Sequence, residues 1–291
     1  MILAYDIGGS RIRAALWTGS ELRPLGETPT PARDLPAFVA ALAGFARGSG
    51  ARGLAISIAG VVDPATGIGI VANIPAIDGL ALGPALTAET GLPALVLNDA
   101  DCFALAEAHH GAGRGHASVF GIILGTGVGG GLVIDGRLVT GAGGYAGEWG
   151  HGPVIRGDHA LPCGCGQTGC VDMIGGARGL ERLHQRLTGD SQGSDHITAA
   201  WSAGEPAATA TMELWRDLVS GPLAMVLNVV GSGAVPVGGG LSQAPGLVSF
   251  LDVALRGRLL RSTSAALLVP AQCGADAGLL GAAMAGAAAW A

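Results

Sequence analysis

The sequence predicts an α/β protein in which one strand–turn–strand unit occurs twice. Two observations carry that prediction. Ile2–Ile7, the turn Gly8-Gly9-Ser10 and Ile12–Trp17 read as strand, glycine turn and strand. Val119–Leu124, the run Gly125-Thr-Gly-Val-Gly-Gly-Gly131 and Leu132–Ile134 repeat that arrangement about 120 residues later. A further turn follows each copy: Thr18-Gly-Ser20 in the first, and Asp135-Gly136, a strong hairpin signal, in the second. The copies agree as architecture more than as sequence, and 291 residues suffice for two compact domains or one large one.

Between the copies, Leu92–Leu97 reads as a buried strand, and the segment from Asn98 to Ala108 as a helix beginning directly after it. Asn98 and Asp99 therefore sit at a helix N-terminus, where the macrodipole favours a carboxylate. A carboxylate kept ionised there can accept a proton from an attacking hydroxyl. Asn-Asp before a helix is also an ordinary cap, so the segment alone leaves both roles open. Beyond the second copy, Gly231-Ser-Gly-Ala-Val-Pro236-Val precedes a third glycine run, Gly238-Gly-Gly-Leu-Ser242. Pro236 cannot donate to a sheet ladder, which predicts a bulge there. Gly274–Ala291 reads as a close-packed terminal helix; its Asp276 and glycines argue against a membrane span, and Gly274-x-x-x-Gly278 fits tight packing.

Charged residues are only 13% of the chain, which suits a dense globular protein. A net charge of −6 and a pI near 5.6 argue against a nucleic-acid surface. All 16 basic residues are arginine. Without lysine there is no Walker A lysine, no protein-kinase strand lysine and no Schiff base. Five cysteines and no secretory signal fit a reducing cytoplasm, so a cytoplasmic location is expected.

His151, Cys163, Cys165 and Cys170 lie within twenty residues, and such a set suits a tetrahedral zinc ion. Four protein ligands leave no open position, so the zinc is expected to be structural. The plain alternative is free thiols beside an unrelated histidine, and the tight spacing favours the metal. A metal there would hold Glu148 and His151 rigidly. The other six histidines, His109, His110, His116, His159, His184 and His196, read as surface or loop residues. Trp149 could stack on a ligand or pack in a core.

Glycine turns expose backbone N–H groups and admit an oxyanion without a Cβ in the way. Two such turns facing each other would grip a polyphosphate, and Asp6 at the end of the first strand strengthens a nucleotide reading. Gly125-x-Gly127-x-x-Gly130 also satisfies a dinucleotide fingerprint, but that motif needs a helix next. The extended, turn-broken stretch from Leu132 to Thr140 rules it out.

The sequence resembles the ROK family of sugar kinases and repressors, most closely its bacterial N-acetylglucosamine kinases. The matching segments are Asp6-Ile-Gly-Gly-Ser10, Asn73-Ile-Pro75, Asn98-Asp-Ala100, Leu124–Gly131, Gly147-Glu-Trp-Gly-His151, Cys163–Asp172 and Gly238–Ser242. The resemblance implies an actin-like ATPase (ribonuclease H-like) fold, with two lobes around a nucleotide and sugar cleft. One lobe is expected from residue 1 to 110, rejoined by a terminal helix over 274–291. The other spans 111–273 and carries the zinc loop.

By the same resemblance, Asp6 would hold the Mg²⁺ of MgATP through water. Gly8, Gly9 and Ser10, with Gly125, Thr126, Gly127 and Gly129, would cradle phosphates. Gly239 and Gly240 would lie against adenosine. Asp99 would be the base on the sugar 6-hydroxyl, while Asn73, Asn98, Glu148 and His151 would bind the other hydroxyls. Asp172 stands where the family usually has a sugar-contacting glutamate; a methylene less withdraws the carboxylate by about 1.5 Å.

The activity so implied is an ATP-dependent 6-kinase for N-acetylglucosamine. Glucose, fructose or N-acetylmannosamine kinase is the near alternative, and a non-catalytic sugar sensor the alternative of another class. A repressor would need a helix-turn-helix before the first phosphate strand, which is expected to begin at Ile2. The resemblance alone implies a homodimer.

Overall fold

Two five-stranded sheets with the same strand order frame the protein in a computed structural model describing residues 1–291. The first half runs β1 (Ile2–Ile7), β2 (Arg11–Trp17), β3 (Leu22–Pro29), α1 (Leu35–Ala46) and β4 (Leu54–Ile58). It continues through a ribbon of β5 (Val61–Val62) and β6 (Gly69–Ile70), then α2 (Leu82–Thr90), β7 (Ala94–Asn98) and α3 (Asp99–His110). The second half opens with β8 (Ser118–Leu124), β9 (Val128–Ile134), β10 (Arg137–Val139) and a short α4 (Asp172–Gly175). Then follow α5 (Ala177–Thr188), α6 (Ser194–Ser202), α7 (Pro206–Val230), β11 (Val235–Gly238), α8 (Leu247–Arg256), β12 (Leu268–Pro270) and α9 (Ala277–Ala289).

The sheets are ordered β3-β2-β1-β4-β7 and β10-β9-β8-β11-β12. In each, the first three strands form an antiparallel meander and the last two join in parallel. The duplicated hairpin in the sequence is thus the seed of a duplicated sheet.

Side-chain size decides what packs on each face of the first sheet. Leu3, Tyr5 and Ile7 of β1 and Leu54, Ile56 and Ile58 of β4 point to one side and bury against α1 and α2. Ala4, Ala15 and Ala55 point to the other side, against α9. Small residues let helices come close: a Cβ on Gly286 of α9 would meet Ala55, and one on Gly281 would overlap the backbone of Cys102 in α3. α3 in turn lies on the second sheet, where Gly121 and Gly131 make room for Ala104 and Ala100. The layers are therefore α1/α2, first sheet, α9/α3, second sheet, and the α4–α8 group. The largest core, with Trp215, Phe120 and Leu223, lies between the second sheet and that last group.

The terminal segment packs tightly, as expected, but not through Gly274. That residue precedes α9, and the glycines at the contacts are Gly278, Gly281 and Gly286. No helix is long and apolar enough to cross a membrane. The bulge expected at Pro236 does not form. β8 and β11 pair at the same offset before it (Val119 with Ala234) and after it (Val237 with Ile122). The missing N–H leaves a gap in one ladder instead of an inserted residue.

The chain passes between the sheets twice, at 111–117 and 271–276. Fully buried Glu107 ties the two passages together, accepting from the backbone N–H of Ala112, Gln272 and Cys273 at 2.8, 2.8 and 2.7 Å. Such bonds satisfy a carboxylate that would otherwise be costly to bury.

Candidate active site

β1, β4, β7 and β8 all deliver their C-terminal ends to one cleft, and the functional side chains sit there or in the turns that follow. Asn98, the last residue of β7, caps α3: its Oδ1 accepts from the N–H of Ala100 at 2.8 Å and of Asp101 at 3.1 Å. Its amide nitrogen donates to the carbonyl of Gly60 at 2.9 Å, which leaves one N–H for a ligand. Because Asn98 does the capping, Asp99 keeps one carboxylate oxygen free; the other accepts from Ala100 N–H at 2.9 Å.

Asp99 shares a cavity of about 330 Å³ with Gly60, Asn73, Asn98, Glu148 and His151. Five of the six residues expected at the sugar therefore line one space, within the range of small-molecule sites. Burial pushes Asp99 up to about 6, with Asp6 and Glu148 adding to the rise and the Ala100 N–H opposing it. Glu148 is raised mainly by burial, and His151 opposes the rise. Asp172 does not line this cavity; its Oδ1 accepts from Val128 N–H at 2.8 Å.

Asp6, the last residue but one of β1, lies opposite Arg13 of β2. Ser57 of β4 donates to its Oδ1 at 3.3 Å, and the Arg13 guanidinium stands 3.8 Å from its Oδ2. Burial raises Asp6, while Arg13 and Ser57 hold it down. Arg13 also binds the carbonyl of Ala275 at 2.7 Å and the carboxylate of Asp276, fastening the start of α9 to β2, the strand beside the one that carries Asp6. Gly278 of α9 admits Asp6, since a Cβ there would come within 2.6 Å of its Oδ1.

The first glycine turn, Gly8 to Ser10, is closed by Gly8 N–H to the Arg11 carbonyl at 2.9 Å, and Thr30 caps the Gly8 carbonyl at 2.7 Å. Gly9 lies against Asn73, so this turn borders the Asp99 cavity. The second turn is shorter than expected. β9 begins at Val128, and only Gly125, Thr126 and Gly127 form the loop. Gly129 is a strand residue lining the Asp99 cavity, and Gly130 and Gly131 are strand glycines that admit Trp149 and Ala100. Gly239, with φ +91°, packs on the backbone of Leu124 and Gly125, and Gly240 lines a separate cavity of about 460 Å³ beside Asp195 and Thr198.

The ligand atoms of His151, Cys163, Cys165 and Cys170 all lie within 4.8 Å of one another. His151 turns Nδ1 towards Cys163 Sγ, at 3.7 Å, and Nε2 towards Glu148, at 3.8 Å. Three thiols and an imidazole so close fit zinc, with one ring nitrogen left for the cavity. Trp149 is a core residue whose indole N–H donates to the Gly129 carbonyl at 2.9 Å. His184 is not on the surface as expected; it is buried in α5 against the Thr211 hydroxyl at 2.9 Å.

Sequence reasoning missed Ser57, Gly60 and Arg13. Each acts through a partner far along the chain, and none sits in a recognisable motif.

Two ribonuclease H-like sheets closing on glycine turns and half-buried carboxylates define the actin-like ATPase fold. Within it, the chain belongs to the ROK family, whose sequence model matches residues 2–288. It is 34% identical over 298 residues to the N-acetylgalactosamine kinase AgaK of Shewanella sp. strain ANA-3, covering 98% of this chain and 96% of that protein. It is 33% identical over 300 residues to the N-acetyl-D-glucosamine kinase of Pasteurella multocida, covering 97% and 98%. The ROK hexokinase structure from Thermus thermophilus superposes with a TM-score of 0.87 at 32% identity, covering 97% of this chain and 96% of that one. A ROK family glucokinase from Streptomyces griseus in complex with glucose and AMPPNP gives 0.79 at 30%, covering 98% of each.

Proposed function

We propose that this protein is an ATP-dependent kinase that phosphorylates the 6-hydroxyl of an N-acetylhexosamine, with N-acetylglucosamine as first choice. The single observation that carries the reading is Asp99 in one cavity with Asn73, Asn98, Glu148 and His151, bordered by the first glycine turn. Ala59, Val61, Ile70 and Ala72 give the same cavity an apolar wall suited to an acetamido methyl group. The N-acetylhexosamine kinases among the relatives support that choice over plain glucose.

In the reaction, Asp99 takes the proton of the sugar 6-hydroxyl as that oxygen attacks the γ-phosphorus. The bond from the γ-phosphorus to the bridging oxygen breaks, and ADP leaves with the electron pair. Such transfers need positioning and charge neutralisation more than covalent help. Amides of Gly8–Ser10 and Gly125–Gly127 face the phosphates, and adenosine lies against Gly239 and in the cavity beside Gly240. Asp6, half-buried and held down by Arg13 and Ser57, is the group that would hold Mg²⁺, which supplies charge neutralisation. His151, Cys163, Cys165 and Cys170 would hold zinc, which supplies rigidity. Closure of lobes divided near residues 110 and 274, hinged where Glu107 joins the passages, would exclude water. A homodimer is part of the same reading, supported by exposed Met225, Val229 and Val253 on α7 and α8.

The test is ADP release over a panel of glucose, fructose, N-acetylglucosamine, N-acetylgalactosamine and N-acetylmannosamine. The expected outcome is the highest kcat/KM with N-acetylglucosamine. Turnover with none of these sugars, despite tight sugar binding, would favour a sensor over a kinase.

A further inference from the structure

Asp172 opens α4 two residues after Cys170, and its carboxylate is bonded to the backbone at the edge of the Asp99 cavity, which it does not line. Its Oδ1 accepts from the N–H of Val128, the residue at which the Gly125–Gly127 loop enters β9, at 2.8 Å. Its own N–H donates to the Gly150 carbonyl at 2.9 Å, which fixes the carboxylate against the stretch leading to His151. From that stretch, the Trp149 indole donates to the carbonyl of Gly129, the next residue of β9, at 2.9 Å. Both flanks of the cysteine–histidine loop therefore grip the end of the second glycine turn. The fit is close: a Cβ on Gly127 would overlap Asp172 Oδ1, and one on Gly176 would come within 2.6 Å of Gly127 Cα.

Amides that bind an oxyanion work best when already aimed, because ordering them on arrival costs affinity. Val128 N–H is tied by a carboxylate and cannot swing, so the peptide planes of the preceding loop start from a fixed end. We infer that Asp172 is a positioning residue for the nucleotide side of the cleft. Through it the cysteine–histidine loop braces the phosphate turn as well as the sugar wall. The inference rests on reading Gly125–Gly127 as a phosphate turn. It also gives a reason for the short acid: one carboxylate oxygen is engaged by the Val128 N–H at the loop end.

Calorimetric titration with a non-hydrolysable ATP analogue plus Mg²⁺, and separately with N-acetylglucosamine, tests it. Asp172→Asn keeps an acceptor oxygen for Val128 N–H, Asp172→Ala removes it, and Trp149→Phe removes the second tie. Asp172→Ala and Trp149→Phe are expected to weaken nucleotide binding about tenfold, and Asp172→Asn by less than about threefold. Sugar affinity and zinc content should stay at wild-type values, which also reports an intact fold. Loss of sugar affinity in Asp172→Ala with nucleotide affinity unchanged would make Asp172 a sugar ligand and overturn the inference. Wild-type nucleotide affinity in Asp172→Ala would overturn it as well. Wild-type protein that binds no nucleotide would overturn the kinase reading beneath it.

Discussion

Replacing Asp99 with asparagine removes a proton acceptor and little else. The amide oxygen can still take the 2.9 Å bond from Ala100 N–H, and Asn98 still caps α3. With its carboxyl pushed up to about 6 by burial, Asp6 and Glu148, Asp99 is ionised in about nine of ten molecules at pH 7 and about one in ten at pH 5. General-base catalysis contributes about 10²–10⁴ in rate, so Asp99→Asn should lower kcat by that factor. Wild-type kcat/KM should fall about tenfold per pH unit below 6, and the variant should lack that limb.

The same shift has a stability counterpart. The folded protein keeps a proton on Asp99 between about pH 4 and 6 that the unfolded chain releases, so stability is lost as pH rises through that window. The loss is at most about 3 kcal/mol, and Asp99→Asn should recover part of it above pH 6. Initial rates from pH 5 to 8 and urea melts at the same pH values measure both effects. A variant retaining more than about a tenth of wild-type kcat, or a flat wild-type profile from pH 5 to 7, would reduce Asp99 to a structural residue.

Removal of zinc by a strong chelator should expose Cys163, Cys165 and Cys170 to a thiol reagent while weakening sugar binding. Protein isolated without metal yet fully active would refute the zinc assignment. Asp101 is 4% exposed, its Oδ1 has no partner, and burial beside Glu148 and Asp99 raises its carboxyl to about 8. Wild-type stability should therefore decline from about pH 4 to 8, the interval over which only the unfolded chain gives up this proton. Asp101→Asn should flatten that decline and be more stable at pH 8 by about 2 kcal/mol or more. Matching pH slopes in urea melts of the two proteins would contradict this.

Much of the site was legible because its chemistry is local. The turn at Gly8–Ser10, the cap at Asn98 and the clustering of His151 with three cysteines each follow from a few neighbouring residues. The patterns of β1 and β8 were equally plain, since both strands are buried on both faces and their sequences run apolar almost without interruption. Gly129 was misplaced because a glycine needed for packing reads the same as one needed for a turn; only Ala100 opposite it tells them apart. His184 looked superficial in a polar helix until Thr211 supplied its partner.

By itself the sequence determined the repeated strand units, the cysteine–histidine cluster and the carboxylate at the head of α3, because hydrophobic period, residue spacing and capping act over short stretches of chain. Tertiary structure alone decided what those parts face. It set Arg13 on Asp6 and the crossing segment, gathered Asn73, Asp99 and Glu148 around one cavity, and bonded Asp172 to the backbone of Val128. Each of these depends on which helices can approach which sheet face, and that is settled by small residues packing across the two halves.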